Sequence, residues 1–272
     1  MKTRITVIVD NIPSDGIKGE WGLSILAEYA DKKILLDAGG SDLFLKNMKS
    51  LGINVKDIDY ATLSHAHYDH ANGLPALLDN NAKVKLFLRE STAEDCYTKI
   101  LFYKHYIGIP HGLYDKYSDR IETVTGDFKL TDGVYLIPHK TKNLGKIGKR
   151  EHMYRRTPNG WQPDSFSHEQ SLVLDTEKGL VILNSCSHGG AANIIHEIQS
   201  TFPDKKVYGV IGGFHLFNKS KKEIVHLARE MKDTGIEFVC TGHCTKNRAY
   251  NILKDELGDM VQQMRVGFIM EF

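Results

Sequence analysis

Three histidines and one aspartate fall within six consecutive residues of this chain. They are His65, His67, Asp69 and His70, in the stretch His-Ala-His-Tyr-Asp-His. A short apolar segment at 60–64 predicts a strand just before them, and Ala-Asn-Gly at 71–73 predicts a turn. A loop at the end of a strand can direct all four side chains toward one point. Because neutral imidazoles and carboxylates bind zinc, and also iron and manganese, the stretch predicts a metal site.

Further metal ligands are expected from the second half of the chain. The candidates are Cys186, His188, His215 and His243, each beside or near a glycine and each after a predicted strand. Histidines at the ends of several strands on one edge of a sheet converge on one point. Asp37 also ends an apolar segment, and it has two interpretations: a simple turn residue, or a carboxylate that orients a ligand histidine through its second ring nitrogen.

The elements that position these residues follow from apolar patterns. Strands are predicted at 5–10, 23–29, 33–37, 60–64, 84–88, 171–175, 180–184, 206–211, 238–241 and 266–271. Helices are predicted at 42–51, 74–79, 191–201, 221–234 and 246–257. The first half is mostly β, whereas the second half alternates β and α. The pattern therefore predicts an α/β fold, a four-layer αββα sandwich of two mixed sheets with helices outside.

The chain is predicted to form one domain, residues 1–272, with an irregular polar insertion at about 90–165. The alternative is a doubly wound sheet, but no glycine-rich phosphate loop follows the first strand. Within the insertion, the aromatic run 97–106 is interpreted as one buried face of a helix, with stacking on a heterocyclic ligand as the alternative.

Composition excludes several classes of partner. The chain has 272 residues, of which 41% are hydrophobic, and its formal net charge is +1. This balance gives no reason to propose a nucleic-acid or membrane partner, and no apolar run approaches the roughly 18–20 residues of a membrane span. Four scattered cysteines and the lack of a signal-peptide pattern predict reduced thiols in a cytoplasmic protein. The oligomeric state is not readable from the sequence.

These residues resemble the metallo-β-lactamase superfamily, whose signature is the HxHxDH loop. Within it the chain is most similar to the branch of 7,8-dihydropterin-6-ylmethyl-4-(β-D-ribofuranosyl)aminobenzene 5′-phosphate synthase. The similar segments are Asn11, Glu20-Trp-Gly-Leu-Ser24, Leu35-Leu-Asp-Ala-Gly39, Ser64-His-Ala-His-Tyr-Asp-His70, Glu169-Gln170, Cys186-Ser-His188, Gly212-Gly-Phe-His-Leu216 and Thr241-Gly-His-Cys-Thr245. The resemblance implies the αββα fold and two divalent metal ions, zinc above all, with iron or manganese as alternatives.

The resemblance also implies a ligand set. His65 and His67 would hold one metal ion, and Asp69, His70 and His243 would hold the other. Most hydrolases of the superfamily have a bridging aspartate where this chain has Cys186. Two possibilities follow: the Cys186 thiolate takes part, or His188 completes the first ion and only water bridges. We favour His188, with Cys186 nearby. The branch usually has an acidic residue at His168 and glycine at Lys246, so the role of His168 stays open.

The expected activity is that of a hydrolase in which a metal-bound hydroxide attacks phosphorus or a carbonyl carbon. Asp69 would hold this nucleophile and accept its proton, while His215 would donate a proton to the leaving group or bind an anionic substrate. The expected substrate is a phosphorylated or pterin-like small molecule. Lys149 and Arg150, in the basic segment 140–156, are candidates for binding it, although solvated basic loops are common.

Two other functions are compatible with the sequence. The first is a synthase-type transferase, in which an arylamine displaces pyrophosphate from a pterin. The metal ligands alone do not separate this transferase from a hydrolase. The second is a ligand-binding module that has kept the fold and lost turnover, and a damaged ligand set would favour it.

Overall fold

The computed structural model describes residues 3–14 and 16–272, so Met1, Lys2 and Asp15 lie outside the described residues. The strands are β1 Arg4–Val9, β2 Ser24–Tyr29, β3 Lys32–Leu36, β4 Tyr60–Thr62, β5 Lys85–Arg89, β6 Cys96–Ile100, β7 Tyr103–Tyr106, β8 Ile121–Val124, β9 Phe128–Thr131, β10 Val134–Pro138, β11 Met153–Thr157, β12 Gly160–Pro163, β13 Gln170–Thr176, β14 Gly179–Leu183, β15 Val207–Gly212, β16 Phe238–Thr241, β17 Val261–Gln263 and β18 Ile269–Glu271. The α-helices are α1 Leu43–Ser50, α2 Tyr68–Ala71, α3 Leu74–Asn80, α4 Leu113–Tyr117, α5 Leu144–Arg150, α6 Ala191–Thr201, α7 Lys221–Asp233 and α8 Lys246–Leu257. Short 3-10 helices lie at Val55–Asp57, His243–Thr245 and Gly258–Met260.

Two seven-stranded mixed sheets form the centre of the fold. The first has the order β18-β1-β2-β3-β4-β5-β8, and the second has the order β17-β16-β15-β14-β13-β10-β9. In the first sheet the pairs from β3 to β8 are parallel, and in the second the pairs from β14 to β17 are parallel. The remaining pairs within these two sheets are antiparallel.

The sheets pack face to face, and helices cover their outer faces. Because side chains alternate along a strand, Ile5 and Val7 of β1 point into the core between the sheets, while Ile8 points toward α1 and α3. Helices α6, α7 and α8 cover the second sheet with apolar side chains such as Ile224 and Leu253. Helix α7 begins at a capping box formed by Ser220 and Glu223. This arrangement confirms the predicted αββα sandwich.

The prediction of an irregular segment at about 90–165 is wrong. This segment contains β6–β12, α4 and α5, and four of its strands form a third sheet with the order β12-β11-β6-β7. The aromatic run 97–106 is not a helix face but the β6–β7 hairpin. Tyr97 of β6 contacts Tyr106 of β7, with ring centroids 5.3 Å apart. It also contacts Trp161 of β12, with ring centroids 4.9 Å apart. Such pairs stabilise a small sheet, and the order of strand pairing is not visible in the linear pattern.

The parallel parts of the two large sheets bring several strand ends to one edge of the sandwich. Strands β3 and β4 are parallel neighbours in the first sheet, and β14, β15 and β16 are parallel neighbours in the second. The loops after the carboxyl ends of such strands are where α/β folds place functional groups. No helix in the part of the chain that the structure describes is long and apolar enough to cross a membrane.

Candidate metal centre

The loop after β4 carries the first group of candidate ligands. His65 and His67 lie in this loop, and Asp69 and His70 lie in the single turn of α2. The ring centroids of His65 and His67 are 4.5 Å apart, and those of His65 and His70 are 4.3 Å apart. All four side chains are buried. The change from strand to helix within this loop thus directs the four side chains to one place.

Two histidines from the second sheet join this group. The ring of His188, which follows β14, lies 4.9 Å from that of His65 and 5.1 Å from that of His67. The ring of His243, which follows β16, lies 5.0 Å from that of His70. The two sheets therefore contribute to one centre, as expected from strand ends on one edge.

The hydrogen bonds of four rings fix which nitrogen can bind a metal ion. In each ring Nδ1 has an oxygen partner: Ser64 Oγ for His65 (2.8 Å), Asp37 Oδ2 for His70 (2.8 Å), Glu169 Oε2 for His188 (2.9 Å) and Asn11 Oδ1 for His243 (3.1 Å). When Nδ1–H of a neutral ring donates to these oxygens, Nε2 carries the lone pair, and Nε2 of His70 lies 3.4 Å from Cys186 Sγ and 3.5 Å from Asp69 Oδ2. A metal-binding histidine usually donates its other ring N–H in this way.

Several of these Nε2 atoms have no hydrogen-bond partner. Among the described residues, the Nε2 atoms of His65, His67, His188 and His243 are buried without one. An unsatisfied buried polar atom costs about 1–3 kcal/mol, so four in one place need an explanation. The ring nitrogens of His65, His67 and His188 offer ligand atoms within 4.8 Å of one another. These residues therefore fit a divalent metal ion.

A second set of donors surrounds Asp69. Its Oδ2 lies 3.5 Å from His70 Nε2 and 3.4 Å from His243 Nε2. Neutral imidazoles and a carboxylate are a suitable donor set for a divalent ion. The arrangement fits two metal positions side by side.

Asp37 is the carboxylate that holds the loops of both sheets. It follows β3, and its oxygens accept hydrogen bonds from Ser64 N (2.7 Å), Ser64 Oγ (2.7 Å) and His70 Nδ1 (2.8 Å). The hydroxyl of Ser185, in the loop after β14, also donates to it. Asp37 thus contacts His70 directly and His65 through Ser64.

Burial and neighbouring charges control protonation in the centre. Burial, with the nearby His70, His67 and His188, holds the pKa of His65 well below its ordinary value. Burial also lowers the pKa of His188 to about 3. Burial would lower the pKa of His70 as well, but the carboxylates of Asp69 and Asp37 raise it to about 10. His65 and His188 are therefore neutral at neutral pH, the state that a metal ligand requires.

His168 is buried nearby but has a different hydrogen-bond pattern. Its Nδ1 accepts a hydrogen bond from Ala66 N (3.1 Å), so in the neutral ring Nε2 carries the proton. That Nε2 lies 3.2 Å from Asp164 Oδ2 and 3.6 Å from Cys96 Sγ. His168 therefore has no free lone pair for a metal ion. It holds the backbone between His65 and His67, which gives a role to a residue that the sequence left open.

Cys186 and Cys244 lie together between the two sets of ligands. Their Sγ atoms are 3.4 Å apart, and Cys186 Sγ lies 3.4 Å from His70 Nε2. Burial and the hydrogen bond with Cys244 raise the pKa of Cys186 well above its ordinary value. Both cysteines are buried and free of disulfide bonds.

His215 lies on the other side of His188. Its ring centroid is 4.7 Å from that of His188 and 4.9 Å from that of Phe217. Neither ring nitrogen has a hydrogen-bond partner among the described residues, and Nε2 lies 3.9 Å from Glu151 Oε2. Burial would raise the pKa of Glu151, but hydrogen bonds from Lys219 and Asn218 lower it to about 2. His215 thus faces a carboxylate that stays ionised.

A cavity of about 200 Å³ opens onto these side chains. Its lining includes Trp21, Tyr68, Asp69, Cys186, His215 and Phe217. Lys149 and Arg150, the predicted substrate-binding residues, are not among its lining residues. They end α5, and the Arg150 side chain, 58% exposed, pairs with Glu151 and Glu223. The structure thus brings together the predicted ligands, Asp37, Cys186 and His215, but not these two cations.

Several site residues were missed by the sequence reasoning. Glu169 and Asn11, which hold the rings of His188 and His243, were quoted only as points of resemblance. The aromatic residues at the cavity, Trp21, Tyr68 and Phe217, had no predicted role. Trp21 also lies 4.1 Å from Lys246 Nζ, measured to its ring centroid. Tyr68 is next to His67 in the chain and Phe217 is two residues after His215, and this proximity was the available signal for these two residues.

The chain is similar to several known proteins. Residues 22–146 match the family model described as metallo-beta-lactamase superfamily. Over 269 residues the chain is 32% identical to the 7,8-dihydropterin-6-methyl-4-(beta-D-ribofuranosyl)-aminobenzene-5'-phosphate synthase of Methanocaldococcus jannaschii, covering 92% of this chain and 90% of that protein. It is 30% identical to a metal-dependent hydrolase of the beta-lactamase superfamily of known structure, with a TM-score of 0.86 and 99% of each chain covered. A diphosphatase of the PhnP family, 15% identical with a TM-score of 0.58, covers 100% of this chain and 98% of its own and shares the fold.

Proposed function

Because the chain belongs to the metallo-β-lactamase superfamily, we propose that it is a metal-dependent hydrolase of a small phosphorylated or pterin-like molecule. One observation carries this proposal. The rings of His65, His188 and His243 each have an oxygen partner at Nδ1 and a buried, unpartnered Nε2 directed into one centre. A binding module without metal has no need for such a set of free lone pairs.

Two groups of residues would hold two divalent ions. His65, His67 and His188 would hold the first ion, and Asp69, His70 and His243 the second. The pair of ions, with zinc as the first choice, would supply an activated water at neutral pH and positive charge beside the leaving oxygen. Glu169 and Asp37 would keep the rings of His188 and His70 oriented through their Nδ1 atoms.

Asp69 and His215 would carry out the proton transfers. Burial would raise the pKa of Asp69, but His70 and His243 hold it well below its ordinary value, so this carboxylate is ionised. It lines the cavity and would hold the attacking water and accept its proton. On the opposite side, His215 has both ring nitrogens free and would donate a proton to the leaving oxygen. Glu151 Oε2 lies 3.9 Å from His215 Nε2.

The cavity supports hydrolysis of a single small substrate. Its volume of about 200 Å³ lies below the roughly 300–1,000 Å³ of sites for drug-sized ligands. Trp21, Tyr68 and Phe217 supply flat apolar surfaces that suit a planar ring. We propose that the reacting group of the substrate enters this cavity while the rest stays at its rim.

A synthase-type transferase is the second candidate. The 32% identity with a protein named as a synthase, over 92% of this chain, favours it. The same ligands would then stabilise a departing pyrophosphate while an arylamine attacks. The two reactions differ in the nucleophile, which is water in one and an amine in the other.

Metal content is the first test of the proposal. We expect about two equivalents of zinc, iron or manganese per chain in the purified protein, measured by plasma mass spectrometry. His67→Ala should lower this content sharply while the circular dichroism spectrum stays unchanged. His226→Ala, with an exposed side chain on α7, is the matched control and should keep full content. A protein that binds no metal after reconstitution would refute the proposal.

The nucleophile separates the two candidate reactions. The protein is incubated with phosphoesters, and separately with a pterin diphosphate, in water labelled with heavy oxygen, with and without an arylamine. A hydrolase releases labelled product whether or not the amine is present. Release of pyrophosphate that depends strictly on the amine would favour the transferase instead.

A further inference from the structure

A second cavity, of about 430 Å³, lies beside the candidate metal centre. Its lining includes the proposed ligand His243 and the cations Lys246 and Arg248. Trp21 connects it with the cavity of about 200 Å³, which Trp21 lines. The Trp21 ring centroid lies 4.8 Å from that of His243 and 4.1 Å from Lys246 Nζ, so the two cavities are neighbours. The second cavity falls in the roughly 300–1,000 Å³ range of small-molecule sites, and the proposed function does not yet use it.

The lining of this second cavity is positively charged. It contains Lys246 and Arg248 but no aspartate or glutamate. Within the part of the chain that the structure describes, neither cation forms an ion pair: Lys246 Nζ lies over the Trp21 ring, and Arg248 Nη1 donates to Lys219 O at 2.8 Å. The charge of Asp10 interacts with that of Lys246, but Asp10 is buried, accepts from two backbone N–H groups and does not line the cavity. The second cavity therefore suits an anion.

Lys246 has a backbone conformation that is unusual for any residue other than glycine. Its φ is 62° and its ψ is 158°. Almost only glycine adopts this region, because a Cβ atom makes it costly. The conformation gives no reason for a lysine at this position, so the reason lies in the side chain. The ammonium is placed between the two cavities, over Trp21 and without a carboxylate partner, where it is available to a ligand.

We propose that Lys246 binds a second phosphate group of the substrate, separate from the group that reacts at the metal centre. The reacting group then occupies the cavity of about 200 Å³, and the substrate passes over Trp21 into the second cavity. Arg248 and the amide nitrogen of Asn247 would supply further donors, since the Asn247 Oδ1 atom already accepts from Gln263 Nε2 at 2.8 Å. This inference rests on the proposed function, because the metal centre determines where the reacting group binds.

Two matched ligands test this second phosphate site. Butylphosphonate and butanediphosphonate have the same carbon chain, but the second carries a phosphonate, a stable mimic of phosphate, at both ends. Calorimetry on the zinc-loaded full-length protein should show at least about tenfold tighter binding of the diphosphonate, the gain expected from one hydrogen bond to a charged group. Lys246→Met should abolish this gain, Lys246→Arg should keep it, and the exposed control Lys83→Met should not change it.

A glycine variant separates ligand binding from packing. Lys246→Gly relieves the backbone strain and removes the ammonium. Its melting temperature should therefore equal or exceed that of the wild type, while the gain for the diphosphonate is lost. A lower melting temperature together with an unchanged gain would assign Lys246 to packing against Trp21 and overturn the proposal.

Tryptophan fluorescence tests the same site without metal ions. Trp21 and Trp161 are the two tryptophans of the chain, so the emission of a Trp161→Phe variant reports on Trp21 alone. Inorganic phosphate is titrated into this full-length variant after metal removal. We expect a saturable change in emission, because phosphate bound to Lys246 changes the surroundings of the Trp21 ring. Lys246→Met should abolish the change.

The two experiments distinguish failure of the phosphate site from failure of the proposed function. Zinc binding with equal affinity for both phosphonates would overturn the phosphate site and leave the metal centre intact. A gain that survives in Lys246→Met would also overturn it. A protein that binds no zinc would refute the proposed function, and the Trp21 titration then decides alone. A saturable change that depends on Lys246 supports the phosphate site, and no saturable change overturns it.

Discussion

Asp37→Asn tests whether the carboxylate behind His70 controls metal binding. Asp37 is 1% exposed and accepts hydrogen bonds from the backbone and hydroxyl of Ser64 and from His70 Nδ1. Asparagine keeps the shape of the side chain but replaces one acceptor oxygen by a donor. His70 then loses the carboxylate oxygen that accepts from its Nδ1. This contact orients the ring and keeps Nε2 available for the metal ion.

The expected magnitude follows from this one contact. A hydrogen bond to a charged group contributes about 1.5–3 kcal/mol. Since each 1.4 kcal/mol is a factor of about ten in affinity, the second metal ion should bind roughly 10–150-fold more weakly. This range agrees with the 10–100-fold typical for lost outer partners. Binding of the first ion should weaken less, because Asp37 reaches its ligand His65 only through Ser64 and Glu169 still holds His188 at 2.9 Å.

The assay is a competitive zinc titration of metal-free protein against a chromophoric chelator, which resolves two binding steps. Glu169→Gln should weaken most the step that Asp37→Asn weakens least. Asp79→Asn, at a surface contact with Lys116, is the matched control and should alter neither step. Thermal unfolding shows whether each variant is folded. If folded Asp37→Asn bound both ions with wild-type affinity, the assignment of Asp37 to the orientation of His70 would be wrong.

Three further perturbations test the surroundings of the centre. His215→Gln should lower kcat by about 10²–10⁴-fold without changing metal content, and the loss should shrink for substrates with good leaving groups. Burial would raise the pKa of Glu151, but the hydrogen bond with Lys219 lowers it to about 2. The contribution of this ionised carboxylate to the free energy of unfolding is therefore complete above about pH 4.5 and declines as the pH falls toward about 2. Denaturant unfolding should therefore show a larger stability difference between wild type and Glu151→Gln at about pH 6 than at about pH 3.5, and an equal difference would contradict the pairing. The double variant Lys149→Ala, Arg150→Ala should raise KM by less than about twofold, since surface ion pairs contribute little and neither residue lines the cavity. A larger rise in KM would indicate that part of the substrate contacts α5.

The fold was predictable where one element carries its own pattern. Helices α6 and α8 and strand β16 have the predicted bounds, because each has an apolar face or run that needs no knowledge of its neighbours. The third sheet was missed because its strands are short and half exposed, and cross-strand contacts such as that of Tyr97 with Trp161 stabilise it. Pairing partners of this kind are not encoded in local periodicity.

The candidate metal centre was also predictable only where a single segment of the chain carries the pattern. The HxHxDH loop concentrates its donors within six residues, so the sequence alone indicates a metal site. The acceptors behind the rings are distant in the chain: Glu169 lies 19 residues from His188, and Asn11 lies 232 residues from His243. Only the packing of one sheet on the other makes these contacts. The sequence therefore indicates the cluster of candidate ligands better than the groups that hold their rings.

Backbone strain at the centre indicates that its residues are positioned by the fold itself. Asp37, His215 and His243 all have positive φ, of 61°, 49° and 43°. Such conformations cost on the order of 1–3 kcal/mol each and persist only where other contacts enforce them. These contacts are present: Asp10 Oδ2 accepts from His243 N at 2.6 Å, and Cys244 Sγ accepts from His215 N at 3.1 Å. Since these bonds are within the protein, the side chains are held in place before any metal ion binds. We therefore expect metal binding to change the backbone little, which amide hydrogen exchange of the metal-free and zinc-loaded protein can measure.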